Sequence, residues 1–118
     1  MSRRRCNEPF FWSLFSSGGM ISALILPGLV FFLWIATPLG WWQSPSYADL
    51  VMLLENPLLR AGLFIVISLS AVHWGHRFRF TLYDGLQLSH LYGLIATVCY
   101  GGAALIVCIA AYVLWSFA

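Results

Sequence analysis

The stretch GGMISALILPGLVFFLWIATPL, residues 18–39, decides the fold of this chain because it is apolar almost throughout and holds no charged residue. It lies at the centre of a longer interval, residues 9–48, that contains no Asp, Glu, Lys or Arg. An α-helix rises about 1.5 Å per residue, so about 20 apolar residues cross a hydrocarbon core of about 30 Å. The stretch therefore predicts a membrane-spanning helix.

Two further charge-free intervals, residues 61–76 and 85–118, follow, and each contains a dense apolar run. The composition agrees with a membrane protein, because 61% of the 118 residues are hydrophobic and only 8% are charged, against about 25% charged in soluble domains. We predict an all-α membrane protein that forms one anchor domain over its whole length. Its three spans are expected at about residues 18–39, 57–75 and 91–115, with loops at 43–56 and 76–90.

The segment before the first span is neither a polar loop nor a membrane core. Three of its apolar residues fall on one face of a helix: Phe11, Leu14 and Phe15. Trp12 can place an indole N–H at the depth of the lipid headgroups. We expect residues 8–15 to form a short interfacial helix that turns into the membrane at Gly18 and Gly19.

The distribution of charge predicts the orientation in the membrane, because basic residues near membrane ends mark the cytoplasmic side. After three crossings are counted, the arginines at positions 3–5 fall on the same side as Arg77. Asp49 and Glu55 fall on the other side, with Arg60 as the single exception. We expect a cytoplasmic N-terminus and a periplasmic C-terminus. A nucleic-acid partner is not expected, because half of the six arginines cluster at a membrane-proximal terminus.

A polar cluster lies where the second span ends, in residues 73–79. His73, His76 and Arg77 fall within about one helical turn. Such a cluster is typical of a cationic membrane flank with a snorkelling histidine, but it can also bind a polar head at the membrane surface. A quinone is a suitable ligand, because its ring is apolar while its two carbonyls need hydrogen-bond donors and its reduction consumes protons. The residues alone leave both interpretations open.

Haem is a competing ligand for the histidines. His73 and His76 lie three residues apart on one helix and cannot bind the same iron from opposite faces, although His90 could face His73. The sequence contains no nucleophile–base pair, phosphate-binding loop or run of metal ligands, and no acidic residue at mid-membrane as in proton-driven carriers. We therefore expect no complete active site in this chain, with no catalytic residue and no metal ligand of its own.

The N-terminal segment resembles a family signature. The start of the fumarate reductase D subunit, a hydrophobic anchor of a bacterial respiratory complex, is similar to Glu8-Pro9-x-Phe11-Trp12-x-Leu14-Phe15-x-x-Gly18-Gly19-Met20. The likeness continues in order along nearly the whole chain at Ser22-Ala23, Pro27, Pro38-Leu39-Gly40, Ser46-Tyr47, Arg60, His76-Arg77 and Asp84. It departs at residues 78–83, where the family has a histidine-rich stretch and this sequence reads FRFTLY. Proton delivery through further histidines is therefore not expected here.

The resemblance implies a membrane anchor subunit of quinol:fumarate reductase in the bacterial inner membrane, acting in anaerobic respiration. The implied partners form a heterotetramer with it: a second hydrophobic anchor (the C subunit), an iron–sulfur subunit and a flavoprotein subunit. Menaquinol would be oxidised near the cytoplasmic surface, and electrons would pass through iron–sulfur clusters to flavin, where fumarate becomes succinate. The resemblance assigns Trp12, His76 and Arg77 to the shared menaquinone site, leaves flavin and clusters to the partners, and implies no haem.

Two alternatives remain open at this stage. The chain could be a purely structural tether, with the quinone bound by the partner anchor alone. It could also be a haem-bearing anchor of the succinate dehydrogenase type.

Overall fold

The computed structural model describes residues 8–116, so the basic cluster at positions 3–5 lies outside the described residues. Helices make up most of this part of the chain, and no strand occurs in it. Two of the long helices run on into a wider π-helical turn, and the last one follows a short 3-10 turn. In chain order the elements are α1 (Glu8–Val30, with a π turn at Phe31–Ala36), α2 (Tyr47–Leu54), α3 (Pro57–Phe80, with a π turn at Thr81–Gly85), the 3-10 turn Ser89–Leu91 and α4 (Tyr92–Ser116).

Three of these helical stretches are long and apolar enough to cross a membrane: Pro9–Ala36, Pro57–Gly85 and Ser89–Ser116. In their most apolar windows only 6% to 17% of the residues are buried inside the protein. Water would strongly disfavour so much exposed apolar surface, whereas lipid solvates it. The predicted fold class, an all-α membrane protein with three transmembrane helices, is confirmed.

The central helix of the bundle is α3, which packs against both α1 and α4. Small side chains allow the helices to approach closely, since Ala71, Cys99 and Ala103 are among the most buried residues. The hydroxyl groups of Ser22 and Ser70 are hydrogen-bonded at 2.9 Å between α1 and α3. Small residues and interhelical hydrogen bonds are typical means of holding helices together in lipid.

The N-terminal segment is helical, as predicted, but it continues into the first span without a turn at Gly18 and Gly19. The two glycines serve helix packing instead. A Cβ added to Gly18 would collide with the backbone oxygen of Leu69, and one added to Gly19 would lie 2.6 Å from the His73 ring. A glycine pair therefore marks the close crossing of α1 and α3, and the interfacial helix and the first span are one element.

The helix α3 continues well beyond Gly75, where the sequence suggested that the second span ends. Gly75 is buried against α4, and a Cβ added to it would lie 3.0 Å from the backbone oxygen of Cys99. The chain stays helical as far as Gly85, so the expected loop beginning at His76 is wrong over its first ten residues. The polar cluster at residues 73–79 consequently lies on a regular helix.

The end of α1 is fixed by a glycine with left-handed backbone geometry. Gly40 has a φ of +72°, and its N–H donates to the Thr37 oxygen at 3.1 Å. The N–H of Trp41 donates to the Ala36 oxygen at 2.9 Å, which completes a Schellman motif. The indole of Trp41 follows directly after this helix end.

The expected loop after α1 contains a short helix, α2, over Tyr47–Leu54. It begins with a capping box in which the Ser46 hydroxyl accepts from the Asp49 N–H and the Asp49 carboxylate accepts from the Ser46 N–H. Asn56 caps α3 by accepting from the second and third residues of that helix, and Pro57 occupies the first helical position, as predicted.

Candidate functional site

The N-terminal part of α1 and the C-terminal part of α3 lie side by side at one end of the bundle. Two adjoining clefts open there, and Trp12 and Phe15 line both of them. The two rings meet edge to face, with their centroids 6.1 Å apart. Trp12 is 66% exposed, so its indole stands at the mouth of both clefts.

The first cleft has a volume of about 380 Å³ and is mostly apolar, with Phe11, Leu14 and Val72 in its lining. The residues with polar side-chain groups in its lining are Trp12, His76 and Tyr100. Clefts that bind small molecules are usually apolar with a few placed polar groups, and their volumes begin at about 300 Å³. This cleft can therefore take an apolar ring that carries one or two polar substituents.

The second cleft has a volume of about 370 Å³ and a more polar lining that includes Ser16, His73 and Arg77. It lies on the other side of Phe15 from the first cleft. The Arg77 guanidinium is always charged and offers several N–H donors in a fixed plane. This side of the site can therefore bind an oxygen atom and stabilise negative charge on it.

The three residues predicted for the site thus come to one end of the bundle, but neither of these two clefts is lined by all three. Trp12 lines both clefts, His76 lines the first and Arg77 lines the second. Phe15 contacts both His76, which lines the first cleft, and His73, which lines the second cleft beside Arg77. The site is one surface divided by an aromatic ring.

Phe15 is held between the two histidines of α3. Its ring stacks on His73, with centroids 4.4 Å apart and planes at 21°, and it meets the edge of His76 at 4.7 Å. The backbone oxygen of Phe15 lies 2.9 Å from His73 Nδ1. A carbonyl oxygen only accepts, so His73 donates from Nδ1 and carries a hydrogen there. His73 therefore joins α3 to α1 and fixes the ring that separates the clefts.

His76 is oriented by a residue of α4. Its Nδ1 lies 2.8 Å from the hydroxyl oxygen of Tyr100. The Phe80 ring also meets the imidazole edge, at 5.1 Å between centroids. Sequence reasoning did not single out Tyr100. Its only signal was a hydroxyl group within the third apolar run, and the contact becomes visible only once the register of α3 against α4 is known.

Arg79 occupies an aromatic cage beside the first cleft. Its guanidinium carbon lies 4.5 Å from the centroid of Phe80, 5.2 Å from Tyr100, 5.8 Å from Tyr83 and 5.9 Å from Tyr92. Such distances allow attraction between the cation and the ring faces. Within residues 8–116 its buried Nε has no hydrogen-bond partner. Arg79 is therefore a cation enclosed by aromatic rings, at a position from which it contacts Tyr100.

The opposite end of the bundle holds a separate apolar cleft of about 430 Å³, lined by residues that include Phe32, Trp42 and Leu50. None of the described residues that line it is titratable. Across residues 8–116, no group of three or more His, Cys, Asp or Glu side chains is placed to hold a metal ion. His90 is exposed in the turn before α4.

The three spans and the clefts at their end define a small multi-pass membrane protein of the helical anchor type. The profile of the family described as the D subunit of fumarate reductase matches residues 2–115. A fumarate reductase D subunit from Mycobacterium tuberculosis is 44% identical over 104 residues, which cover 88% of this chain and 83% of that protein. One from Shewanella putrefaciens is 34% identical over 113 residues, covering 92% and 90%. This chain belongs to the family of fumarate reductase D subunits, as a membrane anchor of fumarate reductase.

Proposed function

We propose that this subunit contributes Trp12, His76 and Arg77 to a menaquinol-oxidising site in a quinol:fumarate reductase complex. The observation that supports this proposal best is the pair of adjoining clefts that share Trp12 and Phe15. They bring an indole N–H, an imidazole and a guanidinium to one end of an otherwise apolar bundle. A quinol head needs such a surface, with apolar faces for its ring and polar groups for its two oxygens.

Each of the three side chains has a distinct role in this proposal. Oxidation of a quinol releases two protons and two electrons, and the electrons leave for the iron–sulfur clusters of a partner subunit. His76 accepts one of the two hydroxyl protons, since a neutral imidazole has one ring nitrogen that accepts, and the other proton leaves to water through the open mouth of the cleft. Trp12 donates a fixed hydrogen bond from its indole nitrogen. Arg77 donates to a second oxygen and favours negative charge there.

Partner subunits complete the site, because both clefts are open and Trp12 is largely exposed in the single chain. We assign the covering chains to a second hydrophobic anchor, the C subunit, together with an iron–sulfur subunit. A flavoprotein subunit completes the heterotetramer, which serves anaerobic respiration. Flavin and the clusters belong to those partners, and the menaquinone pocket is shared with them.

The charge distribution supports a cytoplasmic position for this end of the bundle in the bacterial inner membrane. Arg77 and Arg79 lie beside the clefts, whereas Asp49 and Glu55 lie in the loop at the opposite end. Basic residues are enriched at the cytoplasmic ends of membrane spans. The soluble partners that receive the electrons therefore dock on the face where the clefts open.

Paired substitutions in the assembled complex test the proposal. Trp12→Phe removes the N–H and keeps an aromatic ring, and the loss of one neutral hydrogen bond lowers kcat/KM for a menaquinol analogue about 2- to 10-fold. Arg77→Lys replaces the planar guanidinium group by an ammonium group and lowers kcat/KM about 10- to 100-fold. The matched controls are Trp74→Phe, whose ring stacks on Phe78 away from both clefts, and Arg60→Lys near the opposite end of α3. Fumarate reduction with a viologen dye should be unchanged in all four variants.

Three results would contradict the proposal in different ways. Quinol kinetics equal to those of the controls would make the chain a structural tether, with the quinone bound by the partner anchor. Parallel loss of quinol-linked and dye-linked activity would place the effect in assembly of the complex. A Soret band that belongs to this chain in the purified complex would favour the haem-bearing alternative.

A further inference from the structure

We infer that Tyr100 is a positioning residue whose hydroxyl holds the imidazole of His76 in one orientation while that imidazole gains and loses a proton. The inference rests on the proposed function, because it concerns the same cleft. It gives α4 a part in a site that the sequence had placed on α1 and α3 alone.

The contact between the two side chains is short and built into the helix packing. His76 Nδ1 and Tyr100 Oη lie 2.8 Å apart, although the residues are 24 positions apart in the sequence. The residue before His76 is Gly75, and the residue before Tyr100 is Cys99. These two preceding residues pack closely together, since a Cβ on Gly75 would lie 3.0 Å from the Cys99 oxygen. The glycine crossing therefore fixes the register that brings His76 to Tyr100.

A hydroxyl suits this position because it can both donate and accept a hydrogen bond. With Nδ1 of His76 engaged by Tyr100, Nε2 is the nitrogen that remains for a ligand. When Nε2 accepts a proton, the hydrogen on Nδ1 stays bonded to the Tyr100 oxygen before and after the transfer. When the hydrogen lies on Nε2 instead, the hydroxyl rotates and donates to Nδ1. A carboxylate only accepts and an ammonium only donates, so neither would keep the contact in every protonation state.

The ring of Tyr100 is itself held in place by the caged arginine. The Arg79 guanidinium lies 5.2 Å from the Tyr100 centroid and 4.5 Å from the Phe80 centroid. Phe80 in turn meets the edge of His76 at 5.1 Å. Arg79, Phe80 and Tyr100 thus form a connected group of side chains in contact with the imidazole of His76.

The neighbouring Tyr92 provides a matched control within the same cage. Its ring lies 5.9 Å from the Arg79 guanidinium carbon, and its backbone oxygen accepts from the Tyr83 hydroxyl at 2.9 Å. Within residues 8–116 the Tyr92 hydroxyl itself makes no hydrogen bond. Tyr92→Phe therefore removes a hydroxyl from the cage without touching the bond to His76.

The experiment compares Tyr100→Phe, His76→Gln, the double variant and Tyr92→Phe in the assembled complex. Tyr100→Phe should lower kcat/KM for a menaquinol analogue about 3- to 10-fold, because it removes one hydrogen bond and keeps the ring. Dye-linked fumarate reduction should not change. If Tyr100 acts through His76, the double variant should be no slower than His76→Gln alone, because interacting residues are not additive. Tyr92→Phe should match the unsubstituted complex.

The possible outcomes separate this inference from the proposed function. A Tyr100→Phe complex that behaves like Tyr92→Phe would overturn the positioning role, as would losses in the double variant that multiply. Both results leave the assignments of Trp12, His76 and Arg77 untouched. A His76→Gln complex with full quinol turnover would instead remove His76 from the proposed site, and the role of Tyr100 with it.

Discussion

Substitution of Gly18 by alanine tests how closely α1 and α3 cross beside the site. The added Cβ would collide with the backbone oxygen of Leu69 and would approach the Cβ of His73 to 3.0 Å. No side-chain rotation can relieve a collision with a backbone oxygen. The two helices must therefore move apart by part of an ångström along this crossing.

The net effect follows from three opposing magnitudes. Alanine at a helix interior is favoured over glycine by about 1 kcal/mol. Overpacking of a close contact costs about 1–3 kcal/mol. Separation of the helices also stretches the bond between His73 Nδ1 and the Phe15 oxygen, now 2.9 Å, which contributes about 0.5–1.5 kcal/mol. We expect Gly18→Ala to lower the free energy of unfolding by about 2 kcal/mol and to reduce quinol-linked turnover, because Phe15 divides the clefts.

The assay compares Gly18→Ala with Gly102→Ala in the purified complex, by thermal unfolding followed through tryptophan fluorescence and by quinol-linked activity. Gly102 also lies in a helix of the bundle, but a Cβ there would meet only the Trp74 ring, at 3.9 Å, which is an ordinary contact. Gly102→Ala should be as stable as the original chain or slightly more stable. If Gly18→Ala matched it in stability and turnover, the close crossing of α1 and α3 would be refuted.

Two further predictions concern the ends of the helices. The hydroxyl and N–H of Ser46 hold the pKa of the Asp49 carboxyl below its usual value of 3.8, so the capping box should protect α2 fully above that pH and lose this effect as the pH falls through the lowered pKa. The rate of amide hydrogen exchange in Tyr47–Leu54, corrected for its intrinsic pH dependence, should rise in that acidic range. In the Asp49→Asn variant the same amides should exchange faster at neutral pH as well. Protection that does not depend on pH in the original chain would contradict this prediction. Gly40→Ala should lower the free energy of unfolding by about 1–2 kcal/mol, because φ is +72° there. Gly40→Asn should lower the free energy of unfolding by less. Equal stability of the two variants in thermal unfolding would show that the backbone at this helix end is not left-handed.

The parts of the fold that depend on local chemistry could be predicted from the sequence. Charge-free apolar runs predict membrane helices because each residue is transferred into lipid largely independently of its tertiary neighbours. The start of α2 follows from the Ser46 and Asp49 pair, and the start of α3 follows from Asn56 and Pro57, since caps bond within a few residues. These features need no knowledge of how the helices pack.

The structural roles of the glycines could not be predicted from the sequence alone. Glycine provides both unusual backbone angles and room for a close neighbour, and the two uses cannot be told apart without the tertiary contacts. Gly40 has a positive φ and ends a helix. Gly18 and Gly75 lie within regular helices and make room for a backbone oxygen of the next helix. For the same reason, the sequence alone does not predict the long-range contacts of Tyr100. Trp12, His76 and Arg77 could be predicted as site residues from their residue types and the family resemblance.

The two histidines of α3 differ in the tautomers that their hydrogen-bond partners allow. His73 donates from Nδ1 to the Phe15 carbonyl oxygen, which has no hydrogen to return. Loss of that Nδ1 hydrogen would leave two acceptors facing each other at 2.9 Å and would release the ring between the clefts. His76 faces a hydroxyl that can either donate or accept, so its imidazole keeps this bond with the hydrogen on either ring nitrogen, whereas His73 keeps its bond only with a hydrogen on Nδ1. His73 and His76 are therefore distinguished by their hydrogen-bond partners, although they lie three residues apart on one helix, and the freedom of tautomer at His76 supports the proton exchange proposed for it.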